Sequence, residues 1–156
     1  MYLPADNLRT IDGPDAETGA QAYESGMRRT IQRLLASGKQ VVVIEAIPTY
    51  PTLATALACS PHIRPWLRQQ PEACVSPRGP IEAARQQYLE ILRQALEGLP
   101  NVSRFNTMDE LCDERFCYLN RGGEQLYYDP GHFGAEGSQL VSAALARRIE
   151  QLLQPR

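Results

Sequence analysis

An α/β fold built on a parallel sheet is what this sequence predicts, and three observations carry the prediction. Val41-Val42-Val43-Ile44 is an unbroken β-branched run with no polar residue on either face, the pattern of a strand covered on both sides. An amphipathic helix precedes it, and a second helix followed by a second short apolar strand comes later, at Ile81 to Leu96 and Asn101 to Phe105. A third long amphipathic helix closes the chain. Helices alternating with strands make crossovers, and right-handed crossovers make parallel strands.

Taken in order, Met1 to Pro14 carries Pro4, Gly13, Pro14 and several Asp residues without periodicity and reads as a loop. From Ala16 to Ser37 the apolar set Tyr23, Met27, Ile31, Leu34 and Leu35 recurs at helical spacing, with Arg28, Arg29, Gln32 and Arg33 on the wet side. Gly38 ends this helix. After the Val41 strand, seven prolines from Pro48 to Pro80 punctuate a long connection with short helical turns at most, near Leu53 to Ala58 and Trp66. Connections of this length are usually functional or cross-linked.

Pro80 opens the second long helix, where its missing amide proton costs nothing, and Ile81, Ala84, Tyr88, Ile91, Leu92, Ala95 and Leu96 form its predicted buried stripe. Gly98 stops it, Asn101 to Phe105 follows as a strand, and Thr107 to Leu111 reads as one helical turn. Asn120-Arg121-Gly122-Gly123, between Phe116–Tyr118 and Leu126–Tyr128, is a hairpin signal with a loop longer than two residues. The last helix, Ala135 to Leu153, has Leu140, Val141, Ala144, Leu145, Ile149 and Leu152 as its apolar stripe. Glu136 near its start and Arg147 and Arg148 further on suit its macrodipole. Three long helices for two parallel strands is a lopsided inventory, so the sheet is expected to be incomplete at its N-terminal edge, lacking a strand upstream of Met1.

A chain of 156 residues reads as one domain, residues 1–156, able to bury roughly 70% of its unfolded surface. Sixteen basic against eighteen acidic residues leave a formal charge of −2 with no long like-charge run, which argues against nucleic acid as a partner. No segment approaches the ~18 consecutive apolar residues of a membrane span, and the early Asp6, Asp12 and Asp15 do not suit a signal peptide. The four cysteines, Cys59, Cys74, Cys112 and Cys117, allow three pairings. Cys59 with Cys74 and Cys112 with Cys117 would close two short loops and suit an oxidising compartment. Zinc is the rival, but Cys59 and Cys74 lack knuckle spacing, so no metal or other cofactor is expected. Four reduced, inert thiols are the remaining alternative.

The strongest chemical signal is Leu126-Tyr127-Tyr128-Asp129-Pro130-Gly131-His132-Phe133-Gly134-Ala135-Glu136-Gly137. Asp129 and His132 stand three residues apart, and Pro130 and Gly131 keep them out of any regular helix or strand, so they share one tight loop. Three extended residues reach at most about 10 Å, and a turn shortens this, which lets the carboxylate meet the imidazole. An Asp so placed fixes the histidine tautomer and steadies its cation once a proton is taken from a nucleophile. The competing reading is a turn Asp that caps backbone amides beside a partly buried His.

Four blocks now stand in a telling order: Val41-Val42-Val43-Ile44-Glu45-Ala46-Ile47-Pro48, Cys74-Val75-Ser76-Pro77-Arg78, Leu111-Cys112 to Cys117, and Tyr127 to Gly137. Together they resemble the C-terminal part of the SGNH hydrolase-like domain of membrane acyltransferase-3 proteins, the bacterial O-acetylases of surface polysaccharide. The similarity runs from about Gly38 to the chain's end, and the Asp-x-x-His block is its most specific piece. The family writes Leu-Ser or similar after the His, where this chain has Phe133-Gly134. The resemblance implies a flavodoxin-like three-layer α/β sandwich with a parallel sheet, a periplasmic or other extracytoplasmic location, and acyl transfer or ester hydrolysis by a Ser-His-Asp triad. It carries over Asp129 as orienting acid and His132 as base, with a cell-envelope polysaccharide as acceptor and a membrane acyltransferase-3 domain as partner. The family's nucleophile lies in a Gly-Asp-Ser block after the first strand. No such block occurs in these 156 residues.

Other candidates are weaker. Ser76 is flanked by Pro77 and lacks a strand-to-helix elbow; Ser138 and Ser142 ride the last helix, and Ser37 precedes a helix stop. Asn120 and Gly122-Gly123 earn no oxyanion role from residue type alone. His62 reads as a loop histidine, and Tyr50 and Trp66 either line an acceptor cleft or anchor the proline-rich connection. Two functions follow: the base-bearing segment of an acyltransferase or esterase, inactive without its upstream Ser-bearing strand, or a non-catalytic remnant or carbohydrate-binding module of the same fold.

Overall fold

The computed structural model describes residues 19–50, 59 and 74–154. The expected N-terminal loop, the short turns near Leu53 and Trp66, and His62 and Trp66 themselves lie outside the described residues. The elements are α1 (Gly19–Ala36), β1 (Val41–Ile44), β2 (Val75–Pro77), α2 (Arg78–Leu96), β3 (Val102–Phe105), α3 (Met108–Leu111), β4 (Phe116–Tyr118), β5 (Asn120–Arg121), β6 (Glu124–Gln125), β7 (Tyr127–Asp129), β8 (His132–Phe133) and α4 (Ala135–Leu153). The chain is α/β, with β1 and β3 as its parallel pair. The Val41 amide donates to the Asn101 carbonyl and the Glu45 amide to that of Phe105, so both strands advance together in the same direction. The other pairs, β2 with β4, β5 with β6 and β7 with β8, are antiparallel and short.

Two compact units divide the chain. The first holds the residues up to Val43 and Arg85–Arg104. Its core is Ile31, Val41, Val43 and Leu92, with Met27, Leu35, Tyr88, Leu96, Leu99 and Val102 packed against it. Met27, Ile31 and Leu35 follow one another at four-residue steps on α1, as do Tyr88, Leu92 and Leu96 on α2, so each helix gives one face to the same strand surface. Tyr23 and Tyr88 meet edge to face at 6.1 Å, and the Arg28 guanidinium binds the Gln94, Ala95 and Glu97 carbonyls, capping the negative end of α2.

Four expectations change here. Helix α2 opens at Arg78, two residues ahead of Pro80, which sits within its first turn where a missing amide proton still costs nothing. Leu34 turns to solvent instead of joining the core of α1. Ala84 is exposed and Arg85 is buried in its place, because Ile81, Arg85, Tyr88 and Leu92 lie on one line of the α2 surface. β1 is not covered on both faces: Val41 and Val43 are buried, but Ile44 is 50% exposed, so burial alternates along the strand.

The second unit contains Ile44–Ala84 and the chain from Phe105 onward. Its backbone is organised around two disulfides, Cys59–Cys74 and Cys112–Cys117, which leave no free thiol. The two meet across β2 and β4, where Ser76 pairs with Cys117 and the Leu119 amide donates to the Cys74 carbonyl. The β5–β6 hairpin turns in two residues, Gly122 and Gly123, tighter than expected. Both have left-handed φ, 63° and 91°, as a type I′ turn demands and only glycine supplies cheaply. Helix α4 keeps its predicted bounds, but only Gly137, Val141 and Ala144 are buried, and Ile149, counted in its apolar stripe, is exposed. No helix among the described residues is long and apolar enough to cross a membrane.

Candidate active site

Strands β7 and β8 form a hairpin whose turn is Pro130-Gly131, and their register sets Asp129 opposite His132. The pair was expected to lie outside any strand; instead Asp129 ends β7 and His132 begins β8, because proline and glycine occupy only the two turn positions between them. Proline fixes its own φ and donates no amide proton, which leaves the Gly131 amide to close the turn: it donates to Asp129 Oδ1 at 2.8 Å. The same carboxylate reaches across the turn. His132 Nδ1 lies 2.8 Å from both Oδ1 and Oδ2. The Gly131 amide is the main reason that the Asp129 carboxyl sits below the ordinary carboxylate range, and His132 adds to it. An ionised carboxylate only accepts hydrogen bonds, so Nδ1 is the nitrogen that carries the proton. In the neutral ring Nε2 then holds the lone pair, and among the described residues nothing bonds to it. The His132 side chain is 79% exposed while that of Asp129 is 27% exposed, so the carboxylate is folded into the turn and the imidazole is presented to solvent.

The turn is held from below and from behind. Tyr127 is fully buried, and its ring meets Tyr50 at 4.8 Å and Phe133 at 5.4 Å, both edge to face. The Tyr50 amide donates to the Pro130 carbonyl at 2.9 Å. Burial raises the Tyr50 phenol above the usual tyrosine range, which keeps it neutral. Behind the turn, the Gly134 amide donates to the Leu126 carbonyl at 2.9 Å, and α4 passes so close that a Cβ on Gly137 would lie 2.0 Å from that oxygen.

The remaining candidates fall elsewhere. Ser76 is a strand residue of β2 opposite Cys117, Ser138 and Ser142 lie exposed on α4, and the Ser37 hydroxyl donates to Leu34 behind α1. None of them bonds to His132. Asn120 is spent on structure: its side chain donates to the Cys59 carbonyl and accepts from the Gly123 amide. Tyr50 is a buried anchor rather than a cleft wall. Sequence reasoning gave no role to the Tyr50 amide or to Gly137. A glycine within a helical pattern asks for a packing reason, but Gly26 on α1 has the same pattern and open space around it, so the pattern alone does not single out Gly137; a main-chain donor leaves no signal at all.

The Asp129 carboxylate and the His132 imidazole thus meet in one turn ahead of the last helix of an α/β chain. A family model described as the SGNH domain fused to AT3 domains matches residues 2–147, and the chain belongs to this family. The match begins well ahead of Gly38, from which the resemblance was expected to run. No curated protein and no solved structure gives a significant match.

Proposed function

We propose that this chain supplies the acid–base half of a serine-dependent O-acyltransferase or esterase that acts on a surface glycan. The observation that supports it is the 2.8 Å approach of His132 Nδ1 to Asp129, with Nε2 open to solvent. The serine comes from a Gly-Asp-Ser strand outside these 156 residues. In the forward half-reaction its hydroxyl attacks the acyl carbonyl of the donor while Nε2 takes the hydroxyl proton. The imidazolium, steadied by Asp129, returns that proton to the leaving group. In the second half the glycan hydroxyl loses its proton to Nε2 and attacks the acyl-serine, and the departing serine oxygen regains the proton. Water in place of the glycan gives hydrolysis. Two disulfides suit an extracytoplasmic, periplasmic setting, and the family's fusion to AT3 domains favours a membrane acyltransferase domain as partner.

The test is turnover of a small acetyl ester. The chain alone is expected to show none, and the chain joined to a Gly-Asp-Ser strand from a family member is expected to show it. That activity should vanish with His132→Ala and fall by about 10⁴-fold with Asp129→Asn, which favours the wrong tautomer in the same shape. Turnover by the unjoined chain that is lost on His132→Ala would overturn the assignment of the serine. A second reading, a non-catalytic carbohydrate-binding remnant, draws on the fact that no described serine hydroxyl reaches Nε2. It gains if the joined protein binds polysaccharide but turns over nothing.

A further inference from the structure

We infer that Tyr50 is a positioning residue for the Asp129–His132 turn, acting through its main-chain amide and its ring. β7 and β8 are three and two residues long, and a hairpin of that size does not hold its own conformation in water. The geometry that sets Nδ1 on the carboxylate must therefore be imposed from outside. Among the described residues, the hydrogen bond that reaches the turn itself from beyond residues 126–137 is the one from the Tyr50 amide to the Pro130 carbonyl. The ring of the same residue packs on Tyr127, and Tyr127 packs on Phe133. Tyr127 and Phe133 are paired in the hairpin register on the inner side of the Asp129–His132 pair.

Tyr50 thus holds the apex of the turn with its backbone and the base of the hairpin with its side chain. It is only 4% exposed, so both contacts are made in a dry environment where they are strongest. It also lies in the segment that leaves the carboxyl end of β1, where open α/β sheets carry their chemistry. The role fits a residue that touches no substrate. Losing it frees the turn, and a free turn lets the imidazole leave the carboxylate and relax to the tautomer mixture of an unconstrained histidine.

The inference rests on reading Asp129 and His132 as an acid–base pair, but its test needs no catalysis. In the ¹⁵N-labelled full chain, long-range proton–nitrogen spectra at neutral pH report the tautomer of each histidine, and His62→Gln assigns the two. The wild type and Tyr50→Phe are expected to hold His132 in the Nδ1–H form. Tyr50→Ala is expected to shift both ring nitrogens toward averaged values while the protein remains folded by circular dichroism. Should Tyr50→Ala fail to fold, Phe133→Leu cuts the far end of the same stack and should give a smaller shift in the same direction. A folded Tyr50→Ala protein with the wild-type tautomer would overturn the inference. So would a wild-type shift from Phe133→Leu in that fallback, or loss of the Nδ1–H form in Tyr50→Phe. A serine-joined protein that stays inactive counts against the proposed function and leaves the tautomer result standing.

Discussion

Replacing Gly137 with Ala should destabilise the protein, although the same change in most helices stabilises it. The added Cβ would sit 2.0 Å from the Leu126 carbonyl oxygen and 2.9 Å from its carbon. The first distance is roughly 1.5 Å short of ordinary contact. Both partners are main chain, so no rotamer can give way, and α4 has to move off the segment that leads into β7. Overpacking of this kind costs about 1–3 kcal/mol, and strain on the Gly134 amide bond to the same carbonyl adds up to about 1 kcal/mol. Helix propensity returns about 1 kcal/mol. The net loss is about 2 kcal/mol, a fall in Tm of about 4–8 °C for a protein of this size. Gly26→Ala on α1 is the matched control, because a Cβ there meets nothing within 4 Å. It should gain about 0.5–1 kcal/mol. Thermal melts of both variants read the two signs side by side. A Tm for Gly137→Ala equal to or above that of the wild type would refute the close approach of α4 to Leu126.

Two more outcomes are expected. The Cys59–Cys74 and Cys112–Cys117 bridges span 15 and 5 residues, so their removal by paired Ser substitutions should cost about 3 and about 2 kcal/mol. Urea midpoints that reverse this order would count against the loop-entropy account. Asp113 accepts from the Tyr118 hydroxyl and from the Arg115 and Phe116 amides, which lower its pKa to about 2. A depressed carboxylate stabilises the fold above its unfolded value of about 3.9, and that contribution disappears as the pH falls through about 2. Carboxyl carbon NMR should find the midpoint near the lower value in the wild type and closer to the ordinary one in Tyr118→Phe. An ordinary midpoint in the wild type would remove the basis of this prediction.

Elements whose signal is local were legible in the sequence. Helix α4 begins and ends where its periodicity says, α3 is the single turn that Thr107 to Leu111 suggested, and Gly38 and Gly98 stop α1 and α2. The turn between Asp129 and His132 was legible for the same reason, since Pro130 and Gly131 permit little but a turn, whereas the two short strands that flank it were not. Burial was less legible. Periodicity marks every apolar residue that could face inward, but neighbours decide which do, so Leu34, Ile44 and Ile149 ended at the surface and Arg85 beneath it. The Tyr50 amide was invisible to sequence because every residue except proline offers the same donor.

The Cys59–Cys74 bridge has a consequence for a cleaved chain. A single cut anywhere between residues 60 and 73 parts the polypeptide into a fragment that carries Tyr50 and one that carries Asp129 and His132. The bridge keeps the two as one molecule, and the Asn120 side chain still grips the Cys59 carbonyl across the break. Nicked protein should therefore run as one band without thiol and as two with it. The half that steadies the turn and the half that contains it part company only when the bridge is reduced.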